Sequence, residues 1–157
     1  MNEVWLIDGY NLLHGLARFE SKKAISREAL FFALAGFSSD HEREVLMVLD
    51  GKGNEAEFSA FMTTHFKIRY SQKVSADALI EKALHDHPAK ASVCVVTEDR
   101  AIRQMARGFG ARVMESREFY ELLKRENKDK NGLLFKETVK GHGFNRPFDK
   151  KLKDKGL

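Results

Sequence analysis

The sequence predicts an α/β fold, a mostly parallel sheet of five strands with helices on both faces. Short apolar runs alternate with amphipathic stretches along residues 1–127, and this alternation is typical of βαβ units in a parallel sheet. Right-handed connections between parallel strands then place helices on both faces. The chain has 157 residues, which suits one domain that buries a core without disulfides or structural metals.

Five short segments are the predicted strands. Residues 4–7, 45–49 and 93–96 are continuous apolar runs of the kind that forms buried strands. Residues 66–70 alternate between apolar and basic side chains, which predicts a strand nearer the edge of the sheet. Residues 112–114 form a short fifth strand.

Four amphipathic stretches are the predicted helices, at residues 26–37, 76–87, 98–108 and 116–127. Ser26 and Ser116 are the predicted N-caps of the first and last of them, because a serine hydroxyl accepts hydrogen bonds from the free N–H groups of a helix start. Residues 51–65 carry no clear pattern and are expected to form a loop beside the strand ends, free to move.

The composition is that of an ordinary globular protein, with 43% hydrophobic and 32% charged residues. No apolar run approaches the roughly 20 residues that span a bilayer, and the acidic start lacks the basic region of a secretory signal. We therefore expect a cytoplasmic protein. The single cysteine, Cys94, excludes an internal disulfide and a zinc cluster, and its apolar neighbours predict that it is buried.

The excess positive charge lies at the carboxyl end. Residues 128–157 carry nine Lys or Arg and four Asp or Glu, whereas the rest of the chain carries 18 basic and 19 acidic side chains. We interpret residues 1–127 as one domain and residues 128–157 as a basic extension. The extension either attracts a polyanion or keeps the protein soluble. Because Phe135, Phe144 and Phe148 are not typical of a disordered tail, part of it is expected to dock on the domain or on a partner.

Acidic side chains follow the predicted strands at the points where the strands end. Asp8 and Asp50 follow the first and second strands, Asp77 opens the helix after the third, and Asp99 follows the fourth. Because the carboxyl ends of parallel strands share one edge, where α/β proteins bind ligands, we expect these residues to lie together. A second interpretation stays open for Asp77 and Asp99, since acids in the first turn of a helix interact favourably with its dipole.

The acidic edge has the chemistry of a metal site for phosphodiester hydrolysis. Asp8 is the strongest candidate, because an apolar strand precedes it and Gly9 follows it, where the backbone turns sharply. Clustered acids repel unless a cation lies among them, and carboxylates without Cys or His select Mg²⁺ or Mn²⁺. Such an ion activates water and stabilises the leaving oxygen. Glu81, one helical turn after Asp77, lies either at the rim of this site or in solvent.

Three motifs resemble NYN-domain proteins, in particular the YacP-like branch of the PIN-like nuclease superfamily. Residues 4–13 resemble the opening motif, residues 75–81 the internal Ala-Asp-x-x-Ile-Glu motif, and residues 95–99 the Val-Thr-Ser-Asp element. In the last of these, Glu98 stands in place of the small residue. Residues 110–114 and 116–119 resemble the final strand and helix, and the likeness as a whole spans about residues 3–125.

The resemblance implies a PIN-like Rossmannoid fold with strand order 3-2-1-4-5 and metal-dependent endoribonuclease activity, which some YacP-like relatives direct at mRNA on the ribosome. It implies that Asp8, Asp77 and Asp99 bind Mg²⁺ or Mn²⁺ as catalytic residues, with Asp50 as a further ligand or a residue behind them. Asn11 would complete the catalytic set by holding a metal-bound water or the substrate. Thr97 would cap the following helix and steady Asp99.

RNA is the partner that this activity requires. Tyr10 is a candidate to stack on a base beside Asp8. Candidates to contact phosphates are Arg100, Lys140, Arg146, Lys150 and Lys151. The aromatic residues Phe58, Phe61 and Tyr70 are further stacking candidates, although the spacing of the two phenylalanines favours core packing.

Two other functions stay open. The first is a non-catalytic RNA- or ribosome-binding protein on a nuclease-like fold, which needs the basic extension but not the acids. The second is a phosphatase or nucleotide-binding protein, which is disfavoured because no glycine-rich phosphate loop follows the first strand and no nucleophilic Asp-x-Asp is present. His14 and His65 have no spacing that marks a catalytic base.

Overall fold

The computed structural model describes residues 2–19, 26–39 and 42–131 of the protein. The strands are β1 (Glu3–Asp8), β2 (Arg43–Leu49), β3 (Phe66–Tyr70), β4 (Val93–Val96) and β5 (Arg112–Met114). The helices are α1 (Gly9–Phe19), α2 (Arg27–Ser39), α3 (Ala76–Asp86), α4 (Arg100–Gly108) and α5 (Ser116–Asn131). Short 3₁₀ turns cover Glu55–Phe58 and Lys90–Ser92.

The five strands form one parallel sheet in the order β3-β2-β1-β4-β5. All five predicted strands and the predicted order are confirmed. Strand β3 lies at an edge, as its alternating pattern predicts. The chain adds β2 and β3 on one side of β1 and then β4 and β5 on the other, so the order reverses between β1 and β4. Ligands of open α/β sheets bind outside the carboxyl ends of the strands at this position.

Helices cover both faces of the sheet, and each face has its own apolar core. On the first face, α1, α2 and α5 pack over inward side chains of β1, β2, β3 and β4, including Trp5, Met47 and Ile68. On the second face, α3 and α4 pack over Leu6, Val48 and other inward side chains. Strands alternate their side chains between faces, so the two cores follow directly from the sequence. Cys94 is buried in the first core, as predicted.

Helix α1 is an element that the sequence patterns did not predict. It begins at Gly9, directly after β1, without an acidic residue in its first turn. Asp8, at the N-cap position, accepts the backbone N–H of Asn11. Its signal is the pair Leu12 and Leu16, which lie one turn apart and are both buried against the first core.

No helix within the described ranges is long and apolar enough to cross a membrane.

The predicted helix caps have different outcomes. Ser26 caps α2, since its Oγ accepts the N–H of Ala29 at 3.0 Å. The predicted cap at Ser116 is wrong, because its hydroxyl is buried without a hydrogen-bond partner. Two glutamates replace it: the Glu118 carboxylate accepts the N–H of Glu115 at 3.2 Å, and the Glu98 carboxylate accepts the N–H of Ser116 at 2.7 Å.

The segment 51–65, expected as a loop free to move, is held on the domain at several points. The carboxylate of Glu55 accepts the N–H of Tyr70 at 2.9 Å. Phe58 and Phe61 are buried, with ring centroids 5.5 and 5.2 Å from that of Phe31. The favoured core role of both phenylalanines is therefore confirmed.

Candidate functional site

Asp8 lies at the carboxyl end of β1, beside the position where the strand order reverses. It pairs in register with Val48 on β2, and its side chain shares the second face with Leu6. Only 9% of its surface is exposed. A carboxylate this buried needs hydrogen-bond donors or a cation to offset the loss of hydration.

Gly9 is required by close packing. The sequence predicted a special backbone turn here, but among the described glycines positive φ occurs at Gly51 and Gly110. A Cβ on Gly9 would lie 2.6 Å from Leu49 Cδ2 and 2.8 Å from the carbonyl oxygen of Val48. The missing side chain therefore lets the start of α1 lie directly against β2, which fixes the direction of the chain beside Asp8.

Thr97 joins the ends of β1 and β4. It follows β4 and is fully buried, and its Oγ lies 3.0 Å from a carboxylate oxygen of Asp8 and 3.2 Å from Oδ1 of Asn11. The same oxygen accepts the N–H of Asp99 at 3.0 Å. Thr97 therefore steadies Asp99 as predicted, but it does not cap α4: that cap is Asp99 itself, which accepts the N–H groups of Ala101 and Ile102.

Asn11 is fixed by its side-chain carbonyl. Its Oδ1 accepts the backbone N–H of Glu98 as well as facing the Thr97 hydroxyl. Its backbone N–H donates to Asp8. Because Oδ1 is occupied, the amide NH₂ is the part of the side chain left to donate to another group.

Asp50 and Asp77 lie on the β2 side of Asp8. One oxygen of Asp50 accepts the N–H of Ala76 at 2.8 Å, at the start of α3. Asp77 lies in the first turn of the same helix and is exposed. The structure therefore brings the four predicted acids to one edge, each at a strand end or a helix start.

The charges of the four acids affect the pKa values of Asp8 and Asp77. Burial raises the pKa of Asp8, and the charges of Asp77 and Asp99 raise this pKa further, against hydrogen bonds from Thr97 and Asn11 that lower it. Burial also raises the pKa of Asp77, and Asp99 and Asp50 add to that increase. The interactions join all four carboxylates into one electrostatic cluster.

The donor chemistry of this cluster fits a hard divalent cation. Carboxylate oxygens are the preferred ligands of Mg²⁺ and Mn²⁺. A cation would offset both the burial and the repulsion that raise the pKa values of Asp8 and Asp77. The side chains are not gathered into a ready cage: within the described residues, no three His, Cys, Asp or Glu side chains are placed to hold one ion. Asp50 and Asp99 each use one oxygen on backbone N–H groups.

The remaining predicted residues have separate positions. Glu98 caps α5, and Glu81 is exposed on α3. The ring of Tyr10 stacks on that of exposed His14 at 5.5 Å, and Tyr10 also packs against the first core. His65 pairs with Glu44 at the opposite end of the sheet.

The predicted RNA contacts are only partly within the described residues. Arg100 is exposed at the first position of α4, directly after Asp99. The four basic candidates of the extension lie outside the described residues: Lys140, Arg146, Lys150 and Lys151. Arg69, which the sequence patterns did not single out, is exposed on β3 in the same register row as Asp8 and Val48.

Comparison with solved structures places the fold. Rae1 (YacP) from Bacillus subtilis is 21% identical, with a TM-score of 0.57 over 87% of this chain and 83% of that chain. A point mutant of that protein aligns with 24% identity and a TM-score of 0.57 over 82% of this chain and 80% of that chain. At these identities the likeness concerns the fold alone. No curated protein matches the chain.

The family comparison reaches further along the chain than the motifs do. The model of the YacP-like NYN domain matches residues 5–156, which includes the basic extension that carried no resemblance of its own. The chain therefore belongs to the YacP-like NYN domain family, whose fold is nuclease-like and related to that of PIN domains.

Proposed function

We propose that the protein is a divalent-metal-dependent endoribonuclease. The observation that carries the proposal is the buried Asp8 at the strand-order reversal, with Asp77 and Asp99 near enough to raise its pKa. Acids that raise one another's pKa in this way are typical of functional sites. Membership of a family with a nuclease-like fold supports RNA as the substrate.

Asp8, Asp77 and Asp99 are the residues that would hold Mg²⁺ or Mn²⁺, with Asp50 beside them. The bound ion would supply a more acidic water and charge stabilisation at the phosphate. The chain's own contribution is to fix the carboxylates: Thr97 orients Asp8, and the start of α4 orients Asp99. Because Oδ1 of Asn11 is occupied, its NH₂ group would donate to a phosphate oxygen or a water.

The decisive test is cleavage of a labelled RNA by purified protein, with Mg²⁺, with Mn²⁺ and with EDTA. Cleavage is expected with either metal and none with EDTA. Asp8→Asn, Asp77→Asn and Asp99→Asn are each expected to lower the rate about 100-fold or more, since changes behind metal ligands alone cost about 10–100-fold. Glu121→Gln is the matched control, a carboxylate replaced by an amide on α5, away from this edge.

The outcome also separates the second function from the first. A protein that binds RNA tightly but cuts none with either metal is a binding protein on a nuclease-like fold. Wild-type cleavage by the Asp8 and Asp99 variants would remove the proposed site. Comparing free mRNA with mRNA on translating ribosomes tests whether the ribosome is part of the substrate.

The proposed RNA contacts have their own test. RNA binding is expected to weaken, and its dependence on salt to become less steep, when Gln replaces Lys140, Arg146, Lys150 and Lys151. The reason is that fewer counterions are released on binding when fewer phosphates are contacted. Metal-dependent cleavage of a very short RNA should persist. Unchanged binding would assign the extension to another role. Arg100→Gln and Tyr10→Leu test the two candidates beside the acids in the same assay.

A further inference from the structure

A groove of about 370 Å³ opens on the second face of the sheet, between α3 and the strands β2 and β3. Its floor is mainly apolar, with Val4, Leu46, Leu79 and Ala83. The volume falls at the lower end of the roughly 300–1,000 Å³ range of small-ligand sites. The groove exists because α3 and α4 cover the middle of this face and leave the β3 side open.

The groove runs from Arg69, in the register row of Asp8, to Glu44 at the opposite end of the sheet, so its Arg69 end is the one nearer the acidic cluster. Asp8, Val48 and Arg69 are paired across β1, β2 and β3, and their side chains point to the same face. Neighbouring strands lie about 4.8 Å apart, so Arg69 is two strands from Asp8 in the same row. Helix α3 carries Asp77 at its start and lines the groove with Leu79 and Ala83 one to two turns later.

Three cations line this groove, and Arg69 is the one with no fixed partner. Lys82 pairs with Asp86 at 2.9 Å, and Lys67 donates to the carbonyl of Thr63 at 2.9 Å. Glu44, the other acid of the groove, pairs with His65. In the part of the chain that the structure describes, the exposed guanidinium of Arg69 makes no hydrogen bond or ion pair, so it is available to a ligand.

We propose that this groove binds one nucleotide of the substrate RNA, beside the bond that is cut. The inference rests on the proposed function. Arg69 holds the phosphate, and Lys67 and Lys82 add positive charge, as in basic grooves that follow a single-stranded backbone. The base lies on the aliphatic floor. The chain's own residues 132–157 are a poor occupant, since they carry seven Lys or Arg and three Asp or Glu.

The test is binding of a fluorescent 2′-O-methyl oligouridine to the full-length protein in EDTA, followed by anisotropy. Arg69→Gln is expected to weaken binding about fivefold in about 0.1 M salt and to reduce the slope of log affinity against log salt by about 0.7, the value for one lost phosphate contact on a single strand. Arg125→Gln, an exposed arginine on α5 at the other face, is the matched control and should change neither.

The apolar floor is tested by filling it. Ala83→Phe is expected to weaken binding about fivefold, because the added ring occupies the space above the floor and the base loses its apolar burial there. Melting temperature checks that the variants fold, and Arg69→Gln keeps the test decisive where Ala83→Phe does not fold. Wild-type affinity and salt slope in Arg69→Gln would overturn the proposal.

The failure of this inference and the failure of the proposed function are distinguishable. Binding in EDTA requires no cleavage, so loss of affinity in Arg69→Gln supports the groove even where no RNA is cut. A photo-crosslinking benzoylphenylalanine at position 86, on the groove, identifies the occupant. Crosslinks to RNA support the proposal, whereas crosslinks to residues 132–157 or to another protein overturn it.

Discussion

The two ends of the sheet treat charge in opposite ways. At the amino end, Arg43 of β2 forms two hydrogen bonds of 2.8 Å with Glu126 of α5 and lies 3.8 Å from the centre of the Phe37 ring. At the carboxyl end, none of the acids Asp8, Asp50, Asp77 and Asp99 forms an ion pair within the described residues. One end joins a strand to a helix, and the other collects charges of one sign.

The amino end stabilises the fold, whereas the like charges of the carboxyl end fit the proposed metal site. A planar guanidinium with two bonds to one carboxylate fixes geometry as well as charge. Like charges around a buried carboxylate lower stability, and they persist where a function requires them. Substitutions at either end therefore test whether the free energy of unfolding responds as this contrast requires.

The largest loss of stability is expected from Glu126→Gln. It leaves the guanidinium of Arg43, whose side chain is 10% exposed, without its closest counter-charge. Breaking a fully buried pair costs about 3–5 kcal/mol. Because the Glu126 side chain is 22% exposed, we expect about 2 kcal/mol, measured by urea unfolding. Glu121→Gln on the same helix should change stability by less than about 0.5 kcal/mol. An equal effect of both variants would contradict the special role of the Arg43 pair.

The opposite sign is expected at the other end. Asp8→Asn removes a charge that burial and two acids disfavour, while Asn can still accept from Thr97. In EDTA we expect the variant to be more stable than the wild type by about 0.5–2 kcal/mol, the range of single stabilising substitutions in natural proteins. Mg²⁺ should raise the melting temperature of the wild type and have a smaller effect on the variant. A less stable variant in EDTA would refute the view that this end is strained by its charges.

The sheet was predictable from the sequence because its signals are local. Each strand is a short apolar run between turn residues, and the position of the acids after the strands follows from parallel topology alone. The convergence of Asp8 with Asp77 and Asp99 was therefore available without a structure. Helix α1 was missed because its cap, Asp8, is also the last residue of β1 and was interpreted only as a metal ligand.

What the sequence could not supply are contacts between distant residues. The pair Arg43 and Glu126 joins positions 83 apart, and no local pattern marks it. The cap of α5 fails in the same way: Ser116 has the residue type of a cap, but Glu98, 18 positions earlier, performs that role. A long side chain from elsewhere in the chain can accept the free N–H groups of a helix start, whereas residue preferences predict that the nearest serine accepts them.

Glu98 distinguishes the acids of the cluster from an acid that only stabilises a helix. It is adjacent to Asp99 in the chain, but its carboxylate accepts the N–H of Ser116 at the start of α5. Glu98→Ala removes the acceptor for the N–H of Ser116, and we expect a loss of about 0.5–1 kcal/mol, typical of an acid at a helix start. RNA cleavage should remain within a few-fold of wild type, in contrast to Asp99→Asn. Loss of cleavage in Glu98→Ala with unchanged stability would place Glu98 among the catalytic acids instead.

The smallest effect is a pH dependence of the stability difference between the wild type and Asp8→Asn. Burial, with the charges of Asp77 and Asp99, raises the pKa of Asp8 in the folded state, so the folded protein holds this proton more tightly than the unfolded chain. The resulting stability is complete below the unfolded pKa of about 3.9 and is lost as the pH rises through the folded value. The free energy of unfolding of the wild type should therefore rise relative to that of Asp8→Asn as the pH falls from neutral towards about 4. Urea unfolding in EDTA at a series of pH values measures the difference. A constant difference would mean that Asp8 has the same proton affinity in both states, and the acidic end would then carry no electrostatic strain at this residue.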